Sequence, residues 1–377
     1  VKIIEVIDGG FFTTVQDLGR YGYQRYGVPV SGAMDLFAVR AANLLVGNSD
    51  SAAALEMTLL GPRVRFLADT VIAITGGNLQ PQLDDRPAPL WRAFVAPEGA
   101  VLQFGGAVEG LRAYLAVARG VDVPIVLGSR STFTRGQLGG FDGRALRAGD
   151  VLSTLESGPF RVDARAFPRE HIPTYGRHHA VRVILGPQDD AFTREGLSTF
   201  LAASYVVTPK SDRIGCRLEG PVVTHAATPD IISDGTPFGA VQVAGDGVPI
   251  VLMADRGTTG GYTKVATVIS ADMPMLAQAV PGDRVSFRAV PLEAAHLALE
   301  QQERILERIA SSRPVVFARK RLRLRVGATS MDVTTGLVEQ EMTDAMLAAG
   351  TTTIQAIGET DSETFECEIT RLPDLPQ

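Results

Sequence analysis

Arg213 and Arg217 stand four apart around Gly215 in SDRIGCRLEGP (residues 211–221). A second segment, DRGTTGGY (residues 255–262), follows the apolar run PIVLMA, with Lys264 just beyond it. Guanidinium and ammonium groups beside a carboxylate can hold an anion or move a proton, and glycine-rich polar loops after a strand are where sites are commonly grafted. Asp255, Thr258, Gly260 and Tyr262 lie in the second loop, and SDGTPFGAVQ (residues 233–242), ending at Gln242, lies between the two. A buried Asp–Arg pair that merely ties the loops together explains the same residues, and both readings stay open.

Two other segments carry more polar groups than a simple strand needs. In TVQDLGRYG (residues 14–22), Gln16, Asp17 and Arg20 surround Gly19 and offer hydrogen-bonding groups with a planar cation; the alternative is a turn in which Asp17 pairs with Arg20. In LGSRSTFTRGQLGGFDGRALRAGD (residues 127–150), Ser129, Arg130, Ser131 and Thr132 cluster as donors. Gly136, Gly139 and Gly140 allow close backbone approach or positive φ, so this is either an anion-binding loop or a long hairpin with left-handed glycines. GTTGGYTK lacks the spacing of a phosphate-binding Walker loop, and neither GxGxxG nor GxSxG occurs. The five histidines, His171, His178, His179, His225 and His296, are too scattered for a metal cluster or a Ser–His–Asp triad. No Met-Lys-Met segment of the kind that carries biotin is present.

The elements that must position these groups are mostly short strands. Residues 71–75, 111–117, 181–185, 249–252 and 284–288 are apolar or alternating runs of strand length, and 39 glycines and 22 prolines supply the turns. Helices are expected at residues 36–46, capped by Asp35 and ended by Gly47, at 193–202, and at 292–311. In the first, polar Asn43 interrupts the apolar stripe. Residues 164–180 hold two prolines, a glycine and scattered charge, and read as a linker between halves of comparable size. The division is therefore residues 1–165, residues 180–311 with the terminal helix, and residues 315–377 as a small α+β extension. One short helix is expected in that extension at residues 338–349.

The bulk composition suits a packed protein: 377 residues, 45% hydrophobic and 21% charged, with a net charge of -6. That sign argues against an electrostatic grip on nucleic acid or anionic lipid. The basic run RKRLRLR (residues 319–325) alternates with leucine, as a half-buried strand would. Cys216 and Cys367 have no paired spacing, which suits a reducing compartment. The start VKIIEVIDGG is unlike a signal peptide, and no apolar run approaches membrane-spanning length, so a cytoplasmic protein is expected.

Taken in order, several segments resemble one family. TVQDLGRYGYQRYGVPVSGAMD, ANLLVGN, LEMTLLGP and IAITGGN are similar to its N-terminal half, and LGSRSTFTRGQLGGFDGRALRAGDVL to its middle. SDRIGCRLEGP, ISDGTPFGAVQV and the stretch from DRGTTGGYTKVATVI to AQAVPGDRVSF are similar to its C-terminal half. The family is that of the C component of 5-oxoprolinase, also called KipI antagonist, within the biotin-dependent carboxyltransferase (allophanate hydrolase subunit 2) group. The resemblance runs to about residue 310; Ala244 replaces a usual proline, and residues from 315 onward lie outside the resemblance, their role open.

This resemblance implies a mainly β protein of two tandem cyclophilin-like β-barrel domains with few helices. It also implies an assembly, in which the C component works with the KipI-like B component and the A component of 5-oxoprolinase. Together they would open 5-oxoproline to glutamate with ATP and Mg2+. Cations around phosphoryl oxygens and donors for a substrate carboxylate would be needed. Asp17, Arg20, Arg213, Asp255 and Lys264 are the catalytic candidates, with Asp17 or Asp255 binding magnesium or accepting a proton. Gln16, Asn78, Ser129, Arg130, Thr132, Arg217, Gln242, Thr258, Gly260 and Tyr262 are the candidates for binding substrate or nucleotide. Two other functions fit the family: the carboxyltransferase component of a urea carboxylase, with biotin on another chain, and a regulatory protein that sequesters a KipI-like kinase inhibitor.

Overall fold

The computed structural model describes residues 1–155 and 161–318, and beyond them the strands Arg321–Val326, Thr329–Thr334, Val338–Glu339, Thr352–Ala356 and Phe365–Arg371. Strands dominate, as the frequent turns require.

In the first half, two sheets enclose one core. A seven-stranded sheet is built around Lys2–Asp8, which pairs with Val151–Thr154 on one side and Arg63–Phe66 on the other. A five-stranded sheet runs in the order Phe12–Gln16, Ala54–Thr58, Glu109–Val117, Thr70–Asn78, Ala93–Ala96. The second sheet is buried on both faces, which is why its strands read as continuous apolar runs. Alternation sends Ile72, Ile74 and Leu115 into the core shared with the first sheet. Val71, Ala73 and Ala116 face the other way, against helix α1 (Leu36–Leu45).

Asp35 caps α1 as expected, its carboxylate accepting from Ala38 N at 2.9 Å. Asn43, the polar break in the apolar stripe, is buried and donates to Ala52 O at 2.7 Å. The helix core thus keeps a polar group because a loop carbonyl needs it.

The second half is a closed barrel of seven strands. Their order is His178–Leu185, Arg284–Ala289, Ser204–Val207, Gly215–Glu219, Pro249–Leu252, Ala240–Val243, Thr259–Val268. Thr259–Val268 then pairs back with His178–Leu185, matching Val183 to Val268, and closure removes the open edges. Asp230–Gly235 adds an eighth strand outside Thr259–Val268. Helix α2 (Arg194–Ala202), capped by Thr193, contributes Phe200 to the barrel core, stacked on Phe287 at 4.6 Å.

Helix α3 (Met273–Ala277) leads back toward Arg284–Ala289, and helix α4 (Leu292–Ser311) crosses from the second half to the first. α4 buries Leu306 and Ile309 against the α1 core, while Leu297 is 57% exposed. Arg40 of α1 holds Glu303 of α4 through both oxygens, at 2.6 and 2.8 Å.

The segment expected as a linker packs against the first half. Phe167 packs edge-on against Trp91 at 4.7 Å, and the buried Tyr175 donates its backbone N–H to Glu109 at 2.9 Å. After α4, Val315–Ala318 pairs with Arg161–Ala164 and with Val338–Glu339. Of the helix expected at residues 338–349, the first two residues are therefore strand, and the rest lie outside the described residues. Among the described residues no helix is long and apolar enough to cross a membrane.

Candidate functional site

The site is built where the barrel's loops meet the five-stranded sheet. Asp212 Oδ1 accepts from Ile214 N and Gly215 N at 2.8 and 3.1 Å, a tight side-chain turn that points the next residue, Arg213, inward. Arg213 grips Asp255 with two bonds, Nε to Oδ2 at 2.8 Å and Nη2 to Oδ1 at 3.0 Å. Its Nη1 donates to Glu56 and its Nη2 to Gly32 O at 2.7 Å, both in the other half of the chain. Asp255 N donates to Arg213 O at 2.7 Å, so the two loops are joined by backbone as well. The tying role left open from the sequence is present, and it reaches across the seam between the halves.

Glu56 is placed by its strand. It sits directly opposite Tyr114 in the antiparallel pair Ala54–Thr58 with Glu109–Val117. Its second oxygen accepts from Tyr114 Oη at 2.8 Å and from Met34 N at 2.7 Å. Tyr114 Oη in turn accepts from Asp35 N at 2.8 Å. Burial, reinforced by Glu56 and Asp35, lifts the Tyr114 phenol well above its usual range, so it stays neutral. Burial pulls the Arg213 guanidinium down, but Asp255 and Glu56 overcome it, and the net shift is upward.

Over this network lies a cleft of about 490 Å³. Its walls are largely apolar, with Met34, Leu59, Leu111, Met253 and Leu276 among them. Its polar groups include Arg112, Arg213, Asp255 and the Cys216 thiol, with Arg135 exposed among the lining residues. Burial raises Cys216 to about 11, so it is a thiol rather than a thiolate at neutral pH. Leu59 holds φ at 64°, a left-handed conformation uncommon for leucine and often found beside sites. The size and the mix of apolar wall and few polar groups are those of a small-molecule pocket.

The sequence-selected residues divide into three places. Arg213 and Asp255 line the cleft. Asp17, Arg20, Gln16, Ser129, Arg130 and Thr132 form a second cluster whose bonds are largely internal, with Arg130 also reaching Asp122 at 3.5 Å. Asp17 accepts from Gly19 N at 2.8 Å, Ser129 Oγ at 2.7 Å, Arg130 N at 2.6 Å and Ser131 Oγ. Arg20 donates to Ser131 O, and Gln16 Nε2 to Thr132 O at 3.1 Å. These bonds stitch the 126–132 loop onto Phe12–Gln16, and Asp17 is held by that loop rather than by an Arg20 ion pair. Burial lowers the Arg20 guanidinium, with Asp17 and Asp255 both opposing the shift.

The third place is the Thr259–Val268 end of the barrel. Lys264 is 1% exposed and reaches Asp234 at 3.1 Å, while Asp234 is open to solvent. Gln242 faces Lys264 across the strand pair, and Gly260 lies against it so closely that a Cβ would sit 2.5 Å from Gln242 Nε2. Thr258 O accepts from Thr236 N at 3.2 Å, and Tyr262 is half exposed. None of these lines the cleft. Asn78 spends its carboxamide oxygen on Gln80 N at 2.8 Å, a turn role, and Arg217 is an exposed strand residue bonded to Ser211 through its backbone.

Glu56, Arg112, Tyr114 and Cys216 were missed by the sequence. A signal existed in LEMT and LRAYLAV, where charged or hydroxyl-bearing residues interrupt runs otherwise apolar on both faces. The expected magnesium role finds no fit here. Asp17's oxygens are taken by its loop and Asp255's by Arg213, and among the described residues no three His, Cys, Asp or Glu side chains gather to hold a metal.

Comparison with known proteins agrees with this architecture. Residues 26–289 match the carboxyltransferase domain, subdomain A and B. The chain is 38% identical over 310 residues to the C component of 5-oxoprolinase from Escherichia coli, covering 82% of this chain and 98% of that protein. It is 36% identical over 325 residues to the urea amidolyase of Lachancea kluyveri, covering 80% of this chain but 18% of that protein. The solved structure of Kluyveromyces lactis urea amidolyase superposes with a TM-score of 0.78 at 26% identity, covering 98% of this chain and 25% of that chain. The chain therefore belongs to the carboxyltransferase family of subdomains A and B, and it is similar both to the 5-oxoprolinase C component and to urea amidolyase.

Proposed function

We propose that the chain is the C component of an ATP-dependent 5-oxoprolinase and that the cleft at the seam is its share of the active site. The observation that carries this is the near end-to-end match to a bacterial 5-oxoprolinase C component, 98% of whose length is covered. Urea amidolyase is instead matched over 18% of its length.

The chemistry asks for help at one atom. An unstrained five-membered lactam resists hydrolysis because amide resonance stabilises it. Transfer of the terminal phosphoryl group of ATP to the lactam oxygen, with ADP leaving, would make the ring carbon electrophilic; water would add there, the ring C–N bond would break with the nitrogen taking a proton, and hydrolysis of the resulting acyl phosphate would release phosphate and glutamate. Such a step needs fixed cations and donors more than covalent chemistry from the protein. ATP and Mg2+ belong to the assembled complex with the A and B components in this reading, since Asp17 and Asp255 are already committed. What this chain supplies is a largely apolar pocket for the ring, with Arg112 and Arg213 at its polar part, and Lys264 as a further cation at the barrel end, outside the cleft.

A second reading, carboxyl transfer to a urea-like acceptor, is favoured by the superposition on urea amidolyase, whose coverage extends past α4. Biotin would then ride on another chain. Purifying the chain with the B and A components and measuring glutamate release separates the two. The expected result is release that requires both ATP and 5-oxoproline. No release from the full set, with carboxyl transfer from a biotin carrier instead, overturns the proposal.

A further inference from the structure

Lys264 is 1% exposed, and among the described residues its ammonium has one hydrogen bond, to Asp234 Oδ2 at 3.1 Å. The two partners stand in unlike surroundings, because the Asp234 side chain is 56% exposed. Losing the contact would therefore cost them unequally. The carboxylate returns to water at little expense, as members of surface ion pairs do. The ammonium is left buried and uncompensated, which is strongly unfavourable. Lys264 thus needs an anion at that position, but nothing requires the anion to be Asp234.

The element that carries Asp234 is weakly held. Asp230–Gly235 is the edge strand of its sheet, five of its six residues are exposed, and Ile232 is 95% exposed. Its register against Thr259–Val268 shifts between Asp230 and Asp234, and it passes over Gly260 and Gly261, which offer no side chain to pack on it. Its ends are fixed, with Thr263 N donating to Pro229 O at 3.0 Å and Thr236 N to Thr258 O at 3.2 Å. The strand is a strap, tied at both ends and least supported along its middle, whose Asp234 side chain bonds Lys264 and Gln188.

The surroundings also select the kind of anion. Asp230 on the strap, with Asp189 and Asp190 in the turn that follows Gln188, adds negative charge around the ammonium. That charge repels a dianion more than a monoanion. A carboxylate is the like-for-like replacement for the Asp234 side chain, and Gln242, directly opposite Lys264 on the neighbouring strand, adds an uncharged amide on the same face.

We propose that Asp234 is a displaceable internal carboxylate: a monoanionic carboxylate ligand takes its place on Lys264 as the strap Asp230–Gly235 lifts. The two events are coupled, since lifting without an anion strands the ammonium, and the ligand shifts the equilibrium only through its preference for the lifted form. The site lies outside the cleft, and the inference stands independently of the oxoprolinase reading.

The test compares acetate with chloride at matched ionic strength on the full chain, by hydrogen exchange over residues 230–235 and by thermal unfolding. Phosphate, at a pH where it is a dianion, is the third salt. In the wild type, acetate should speed exchange of the strap and chloride should not. Asp234→Asn removes the internal competitor, so the half-maximal acetate concentration, read from the shift in unfolding temperature, should fall about three- to fivefold. Lys264→Met should abolish both responses; if it fails to fold, the comparison of Asp234→Asn with wild type decides alone. Acetate that acts no differently from chloride on both proteins, or an acetate response that survives Lys264→Met, overturns the proposal. Phosphate acting as strongly as acetate overturns the assignment to a monoanionic carboxylate.

Discussion

Arg213 and Lys264 look alike in the sequence, each a cation in a glycine-rich loop, and the structure gives them opposite situations. Arg213 is the shared partner of two buried carboxylates from different halves of the chain. Removing it strands both, so Arg213→Ala is expected to cost about 3–5 kcal/mol and to lower the unfolding temperature by roughly 10 °C. Among the described residues the Lys264 ammonium meets Asp234, whose carboxylate is open to water and is held below its usual range first by the lysine's hydrogen bond. Lys264→Ala leaves that carboxylate solvated. Its unfolding temperature should fall less than that of Arg213→Ala, because truncating the buried lysine stem leaves a void but strands no buried charge, while turnover of the complex falls. Thermal unfolding and glutamate release on both variants check the contrast; two variants equally destabilised would contradict it. The sequence found Arg213 and Asp255 because both sit in polar loops. It could not show that Glu56, 157 positions away from Arg213, completes the triad, since nothing local links a strand glutamate to a distant loop.

Elements set by local rules were legible. Asp35 caps its helix as expected, the helix expected at 193–202 runs Arg194–Ala202, and α4 has the bounds its periodicity indicated. Elements set by distant pairing were not. The barrel closes by pairing Val183 with Val268, and α4 lands on α1 through Leu306 and Ile309. Neither partner is marked in its own segment. The loop glycines show the same limit: Gly139 (φ 67°) faces Ser131 O, into which any Cβ would collide, so its role is close packing of the loop on itself. The α1–α4 clamp makes a pH-dependent prediction. The hydrogen bond from Arg40 comes first among the causes that hold Glu303 below the usual 4.5. A depressed folded-state value means the stabilisation is present above about pH 4.5 and is lost as pH falls through the lower folded value. Because the pair is partly exposed, Glu303→Gln should cost only about 0.5–1 kcal/mol near pH 7. Unfolding measured from pH 7 to 3 should show that difference vanish. A difference that persists unchanged at low pH would mean the clamp is not ionic.

At the scale of the whole molecule, the two halves meet along a seam that is polar at its floor and apolar above it. Arg213 crosses the seam to Glu56 and Gly32, Gln278 crosses it to Asp35, and α4 braces it from the outer side. Holding the halves rigidly is what keeps a cleft open between them, and the residues that do so are therefore part of the site's construction without touching a ligand. The central claim is that this cleft, and neither half alone, is where the chain acts. Leu111→Trp tests it most directly, because Leu111 is a half-buried cleft wall whose backbone bond to Gln278 survives the change. The measurement is ATP-dependent glutamate release by the complex reconstituted with the A and B components, alongside proof that the variant still assembles. The account predicts a loss of about 10²-fold, with an unfolding temperature within about 3 °C of wild type. An assembled Leu111→Trp complex that turns over at the wild-type rate would contradict it.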